Sequence, residues 1–500
     1  MVLQRTMVRR GVYFDSVSLM IVARNAQAIL GVQVAGVVQG TPLNLQVLER
    51  EGFAMEDGLG PNDLVIAIRA DHQAAMDAAL EAVDKGLAEQ GRPSAGLGIE
   101  IAQSIVTATR RDGSLNLAFI SVPGYAASLE CMFAIEQGLH VFCFSDGISL
   151  VQESALKREA VRRDLLFMGP DCGTAIINGV SFGFANSVRR GPVGIVGASG
   201  TGIQEVICLL DLVDIGISHA IGVGGRDLHA EIGGMSTQRA LDLLAADAGT
   251  DFILVVSKPP DAQVAAVLIE RAGGIGKPVV LALVGNDTTS PLPNGVFVES
   301  SLEAGARRMA RLVGSDLPSW NAPPVTTGKG FVRGLFSGGT LCYEAMIALS
   351  RTVGRVESNT PLHEEWRLVD SHRSLGHTFV DFGEDEFTAG RAHPIIDPSV
   401  RNARFMEEAQ DPDVGAIVLD VVLGFGAPDD PAAELAPLVR KALAGRGSYL
   451  TIVVALCGTK GDPQQLELQR NELLAAGAVV TPSSRQAAVL AMGSVGLSPQ

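Results

Sequence analysis

A chain of 500 residues is too long for one ordinary domain, and 47% hydrophobic residues with only 19% charged supply several buried cores. Lys and Arg number 39 against 55 Asp and Glu, a net charge of −16. No basic tract or aromatic-interleaved basic stripe occurs, which argues against a nucleic-acid partner. The longest apolar runs, PVVLALVG and YLTIVVALCG, are strand-sized, well short of the roughly 18–20 residues of a membrane helix. The basic N-terminus MVLQRTMVRRGVYFDS leads into no apolar signal core. Six cysteines without a CxxC read as reduced thiols. A cytoplasmic protein with no membrane association is expected.

Residues 1–90 are predicted as a small α/β module of ferredoxin-like or ACT-like size. GVYFD reads as a strand, SVSLMIVARNAQAIL as a helix opened by Ser16, and VQVAGVVQG as a second strand. LNLQVLEREG follows as a helix, DLVIAIRAD as a strand, and QAAMDAALEAVDKGLAE as a helix with apolar residues at helical spacing. Residues 91–113, polar and glycine-containing, read as a linker with room for one short helix. Residues 114–188 alternate strand and helix: LNLAFISVPGY, AASLECMFAIEQG ending at Gly138, HVFCFSDGI, LVQESALKREAVRRD and LLFMGPDCGT. Residues 189–316 repeat this logic through GPVGIVGASGTGIQEVICLLDLVD, HAIGVGGRD, TQRALDLLAAD, DFILVVSKPPD and PVVLALVGND. The Pro-rich stretch LPSWNAPPVTTGKG (317–330) is a second linker, and residues 331–500 form a third block. Strands alternating with helices argue right-handed βαβ units and parallel sheets, hence a multi-domain α/β protein.

The informative feature is a recurring strand–glycine turn–helix unit. GASGTGIQE (197–205) and SGGTLCYE (337–344) both contain Gly-Thr-x-x-x-Glu: Gly200, Thr201, Glu205 and Gly339, Thr340, Glu344. Glycine lets the backbone approach a ligand, Ser or Thr caps the first turn, and the unpaired N–H groups with the helix dipole attract an anion. Gly424-Phe425-Gly426-Ala427, after AIVLDVVL, is a third candidate. Neither a Walker A loop nor a GxGxxG occurs, and any one such turn can be an ordinary helix cap.

The run MGPDCGT, VGIVGASGTGIQEV, HAIGVGGRD resembles the α subunit of succinyl-CoA synthetase. HTFVDFGEDEF, AIVLDVVLGFGA and IVVALCGT resemble the CoA-ligase domain of its β subunit. The resemblance implies that 114–188 is a truncated CoA-binding-like Rossmann-type domain, 189–316 a flavodoxin-type domain, and 331–500 a CoA-ligase-like domain. Four departures stand out. The superfamily's phosphorylated histidine follows the KPVV strand, whereas KPVVLALVGNDTTSPLPNG holds no histidine. Its acidic residue after the preceding strand is replaced by Ser257-Lys258-Pro259-Pro260. The ATP-grasp domain is missing, and so is the Gly-rich CoA turn, in whose place stands the N-terminal module. With DSVSLMIVAR, SVPGYAA, GLFSGGTLCYEA, FGEDEFTAGRAHPIIDP and LDVVLGFGAPDDP, these departures resemble the FdrA family.

That resemblance implies a subunit of a carbamoyl- or acyl-transferring assembly with heteromeric partner subunits, as in oxamate carbamoyltransferase of allantoin degradation. Phosphate would attack a carbonyl directly, turning oxalurate into oxamate and carbamoyl phosphate. Ser199, Gly200, Thr201 and Gly202 are expected on one side of the phosphate, and Gly424 and Gly426 on the other. Gly224, Gly225, Gly338, Gly339, Thr340, Asp171 and Cys172 are candidates for contacting substrate or positioning loops. Within FGEDEFTAGRAHPIID, Glu384, Asp385, Glu386, Arg391 and His393 are candidate substrate contacts. Arg391 and His393 are the candidate catalytic pair, since a planar guanidinium suits a carboxylate. Cys172 has no histidine near it in sequence and reads as a buried, inert thiol. No metal motif and no tightly bound cofactor is expected; phosphate or carbamoyl phosphate is the expected ligand, with CoA as an alternative. The rival readings are an acyl-CoA synthetase component and a non-catalytic scaffold or regulatory subunit; an oligomer is expected.

Overall fold

The alternating segment LQRTMVR at the N-terminus makes the first strand, β1 (Leu3–Arg9). It pairs antiparallel, residue for residue, with β3 (Leu64–Ala70), whose other neighbour is β2 (Val32–Gln39). The sheet order β1-β3-β2 and the helices Ser16–Gln27 and Gln73–Gln90 fit a ferredoxin-like module. Leu19, Val22, Met76 and Val83 pack on Ile66 and Ile68 on one face. On the other face Leu48, from the helix Pro42–Arg50, and Phe53 pack on Val65 and Ala67. The first described strand lies at 3–9, and the strand expected at 11–15 falls partly outside the described residues. Gly11 stands at φ +64°, which ends the extended run.

The computed structural model describes every residue except 1, 13, 15, 57, 61, 91–101, 287–290, 321–327, 389–391, 447–449 and 499–500. The first part of the expected first linker and the middle of the second therefore lie outside the described residues, as does Arg391. The short helix expected within 91–113 is Ile105–Arg111. Residues 1–103 with 385–392 form one compact unit, and 104–384 with 393–500 a second. No helix among the described residues is long and apolar enough to cross a membrane.

Among the described residues the second unit holds three sheets. β4 (Leu117–Ile120), β5 (His140–Cys143) and β6 (Phe167–Met168) form a small parallel sheet. Next come β7 (Thr174–Ile177), β8 (Val180–Gly183), β9 (Val193–Ala198), β10 (Ile217–Gly222), β11 (Phe252–Ser257), β12 (Val279–Leu283) and β13 (Val296–Glu299). Their order is β13-β12-β11-β9-β10-β7-β8. Strands β9 to β13 are parallel in the flavodoxin-like 2-1-3-4-5 order. The β7–β8 hairpin at the edge was not anticipated, although its Asn178-Gly179 turn, both residues at positive φ, is a strong hairpin signal.

The third sheet contains β14 (Phe331–Phe336), β15 (Glu357–Ser358), β16 (Thr378–Asp381), β17 (Val414–Val422), β18 (Thr451–Cys457) and β19 (Val479–Thr481). All its pairs are parallel, in the order β15-β16-β14-β17-β18-β19. Every residue of β17 is buried, as a strand covered on both faces requires. One of them is Asp420, an anomaly that the site explains.

Candidate functional site at two opposed helix ends

Each large sheet reverses its winding at one place, beside β9 in the first and beside β14 in the second. In open α/β sheets ligands sit outside the carboxyl ends of the strands at such switch points. Here the two switch points face each other. From β9 the chain enters the helix Gly200–Asp211, capped by Ser199, whose Oγ accepts the Gly202 N–H at 2.8 Å. From β14 it enters the helix Gly339–Val353. The Ser199 hydroxyl also donates to Thr340 Oγ1 at 2.6 Å, which joins the two helix ends directly. A β-carbon on Gly338 would lie 2.8 Å from Thr201 Oγ1, so only glycine permits this approach. Among the described residues no side chain caps the Gly339 helix, whose dipole end favours negative charge.

Asp420 holds the second turn in place. Its two carboxylate oxygens accept the N–H groups of Ser337 and Gly338, each at 2.7 Å. Arg401 Nη1 lies 3.2 Å from Asp420 Oδ1 and donates to Ser337 Oγ at 2.9 Å. This buried ion pair is a brace for the turn.

Three side chains that the sequence reading did not select line the junction. Lys258 follows β11, and its Nζ is 2.8 Å from where a β-carbon on Gly339 would stand. Asp381, the last residue of β16, abuts the same α-carbon through Oδ2. Tyr343 presents its ring face 5.6 Å from the Lys258 ammonium. Burial by itself would depress the Lys258 ammonium, but Asp381, Glu384, Tyr343 and Asp171 outweigh it and hold the group charged. Glu384 Oε1 lies 3.7 Å from Lys258 Nζ. Burial pushes the Asp381 carboxyl up to about 7, against the pull of Lys258. A signal for Lys258 was present: a lysine in the position where the superfamily has an acid inverts the charge offered to a ligand.

The expected site residues divide. Ser199 and Thr201 meet Thr340 and Gly338, with Gly200 and Gly202 in the first turn and Gly339 in the second. Gly424 and Gly426, expected opposite the first turn, follow β17, the neighbour of β14. The Gly424 N–H donates to Gln464 Oε1 at 3.0 Å, and Phe425 pairs with Ala185. A β-carbon on Gly426 would meet Phe184 at 2.7 Å. Both glycines permit close packing of the 183–186 segment, and the Gly424 N–H is already engaged. Gly224, at φ +87°, packs against the Pro170 carbonyl, while Gly225 faces open space. Their loop is pinned by buried Lys157, which donates to the Val223 carbonyl at 2.9 Å and to Asp227 at 2.7 Å. Asp171 stands beside the junction through its charge on Lys258. The Cys172 thiol donates to the Gly222 carbonyl at 3.3 Å and burial pushes its pKa up, which suits packing and not attack. His393 packs on Phe184 at 5.9 Å and its Nδ1 accepts the Ile395 N–H at 3.2 Å. Burial lowers its pKa to about 4, so near neutral pH it is an uncharged donor through Nε2. Asp385 and Glu386 belong to the first unit, in the short helix Asp385–Thr388.

The repeated glutamates Glu205 and Glu344 meet behind the two turns, both buried. Ser484 N–H donates to Glu205 at 3.0 Å and Leu302 N–H to Glu344 at 2.9 Å. Burial raises both carboxyls, and the Glu344 charge raises Glu205 further, which favours a proton held between the two. A carboxyl raised on folding stabilises below its unfolded pKa, and that stability fades as pH rises through the folded value, about 7 for Glu344. Melting temperature should therefore decline between pH 5 and 8. Glu205→Gln, which keeps a donor towards Glu344, should flatten the decline. Parallel wild-type and variant profiles would refute the shared proton.

Three family models match the chain: "CoA-ligase" over residues 335–494, "CoA binding domain" over 188–283, and "AllF, heavy metal-associated domain" over 1–101. The CoA-binding match falls on β9 to β12 and not on the 114–188 segment to which that name was given above. Residues 1–101 hold no cysteine, so the thiolates that bind soft metals are absent there. The α subunit of succinate–CoA ligase (ADP-forming) from Aquifex aeolicus is 24% identical, over 55% of this chain and 84% of its own length. A dinucleotide-forming acetyl-coenzyme A synthetase 1 from Ca. Korarchaeum cryptofilum aligns at a TM-score of 0.32 and 16% identity, over 80% of this chain and 86% of that one. At that score the likeness is too loose to argue from. Fold and sequence define a member of the succinyl-CoA-synthetase-like superfamily. The uncharacterised protein YahF of Escherichia coli K12 is 38% identical over 97% of this chain and 98% of its own length. The chain belongs to the YahF family, an FdrA/AllF-type group of that superfamily.

Proposed function

We propose that this chain is a subunit of a phosphate-dependent carbamoyltransferase, acting on oxalurate or a related N-carbamoyl compound with heteromeric partner subunits. The observation that carries this reading is the junction of two helix ends at Ser199 and Thr340 with Lys258 beside it. A lysine here attracts the ligand's own negative charge. The stretch after the KPVV strand has no histidine to carry a phosphoryl group. Inorganic phosphate then serves as the nucleophile, and catalysis consists of positioning and charge stabilisation. The matches to CoA-ligase and CoA-binding models favour a second reading, an acyl-CoA synthetase component.

A thermal-shift titration with phosphate, carbamoyl phosphate and CoA separates the two. A ligand confined to the folded state adds about 2.7 kcal/mol at one hundred times its Kd. The expected result is a shift with the phosphates, lost in Gly200→Asp, and none with CoA. A shift with CoA alone would support the ligase reading instead.

A further inference from the structure

We propose that Asp381 is a catalytic residue, a proton relay between the attacking phosphate and the departing nitrogen. The inference rests on the carbamoyl-transfer reading above and adds the group that completes its chemistry.

The relay is needed because an amide nitrogen does not leave as an anion. As phosphate oxygen forms its bond to the carbamoyl carbon, the C–N bond of the donor breaks and the nitrogen takes up a proton. Monohydrogen phosphate arrives with one hydrogen, and carbamoyl phosphate departs as the dianion without it. One carboxyl group balances the step: it gives its proton to the nitrogen and receives the phosphate hydrogen. No oxidant, reductant or further reactant enters.

The geometry selects Asp381. Its backbone is locked on both sides by Asn359, which accepts the Asp381 N–H and donates to its carbonyl, both at 2.9 Å. Oδ1 accepts the Gly383 N–H at 2.8 Å. Among the described residues, no hydrogen bond engages Oδ2, the oxygen that abuts the Gly339 turn opposite Lys258. The carboxyl is thus held in a single orientation, with one oxygen left for a ligand.

Neighbouring groups are less suited. Asp420 is fully engaged by two N–H groups and Arg401. Glu384 is paired with Lys258 and its side chain is 42% exposed. Burial raises the Tyr343 hydroxyl and lowers the His393 imidazole, so neither exchanges a proton near neutrality. Lys258 is held charged. Facing these groups, with Asp171 also near Lys258, Asp381 titrates at about 7, where a relay works in both directions.

The test uses the full chain with its co-purifying subunits, assaying carbamoyl phosphate formed from oxalurate and phosphate. Asp381→Asn should lower kcat by about 100-fold or more, within the usual range for general acid–base catalysis, with little change in KM for phosphate. The inflection near pH 7 should vanish from its kcat profile. p-Nitrophenyl carbamate, whose leaving group needs no proton, should restore most of the lost rate. Should the variant not fold, the wild-type profile still decides: a kcat flat from pH 5.5 to 8.5 overturns the relay. An Asn variant with wild-type kcat and pH profile overturns it too, and leaves the carbamoyl reading standing. A wild-type assembly that forms no carbamoyl phosphate from any N-carbamoyl donor overturns both.

Discussion

Lys258→Ala should weaken phosphate binding by about 100-fold, because charge-assisted contacts to a phosphate are among the strongest a site offers. Lys258 Nζ stands 2.8 Å from where a β-carbon on Gly339 would lie, beside Asp381, and unlike Arg401 it is not committed to bracing the turn. Three carboxylates, those of Asp381, Glu384 and Asp171, keep it charged. Without the ammonium, the helix dipoles must hold the anion against this cluster, which would then repel it. Lys258→Glu, which puts an acid back where the superfamily has one, should abolish phosphate binding. Isothermal titration at low salt reads both, and Lys258→Ala with wild-type affinity would remove the lysine from the site. Its side chain is 30% exposed, so the loss should shrink as ionic strength rises.

Arg401→Ala should be the most destabilising single change beside the site, about 3–5 kcal/mol, because it leaves the Asp420 carboxylate buried without its countercharge. Asp420 is fully buried in the middle sheet position of β17 and carries two N–H bonds from the Ser337–Gly338 turn. For a unit of this size, the melting temperature should fall on the order of 10 °C. Ligand binding should suffer together with stability, since the same carboxylate sets the turn that opens the Gly339 helix. A variant that melts within 2 °C of wild type, roughly the effect of 1 kcal/mol, would mean that Asp420 is neutral or finds another partner.

The two turns were legible in the sequence because helix-start grammar is local. Ser199 precedes a Gly-Thr-Gly run and caps the helix that it opens, and Gly338-Gly339-Thr340 follows a short apolar strand. The paired Gly-Thr-x-x-x-Glu pattern even marks both helices that meet, down to the buried glutamates behind the turns. The Gly424 turn shows the limit of the same reasoning. Its sequence resembles the others, yet its N–H is engaged by Gln464, 40 residues away. A glycine pattern states where the backbone can bend and not what it bends around.

The amino-acid sequence by itself determined the α/β class, the small N-terminal module, the strand–turn–helix units and the superfamily, because each rests on patterns within about 30 residues. Only the tertiary structure decided which turns face each other and which strand ends bring charge to them. Lys258 and Asp381 lie 123 positions apart and meet at Gly339 because β11 is next to β9 and β16 next to β14. Strand order follows from long-range packing of buried faces, and a parallel strand reads as the same apolar run in whichever position of the sheet it stands.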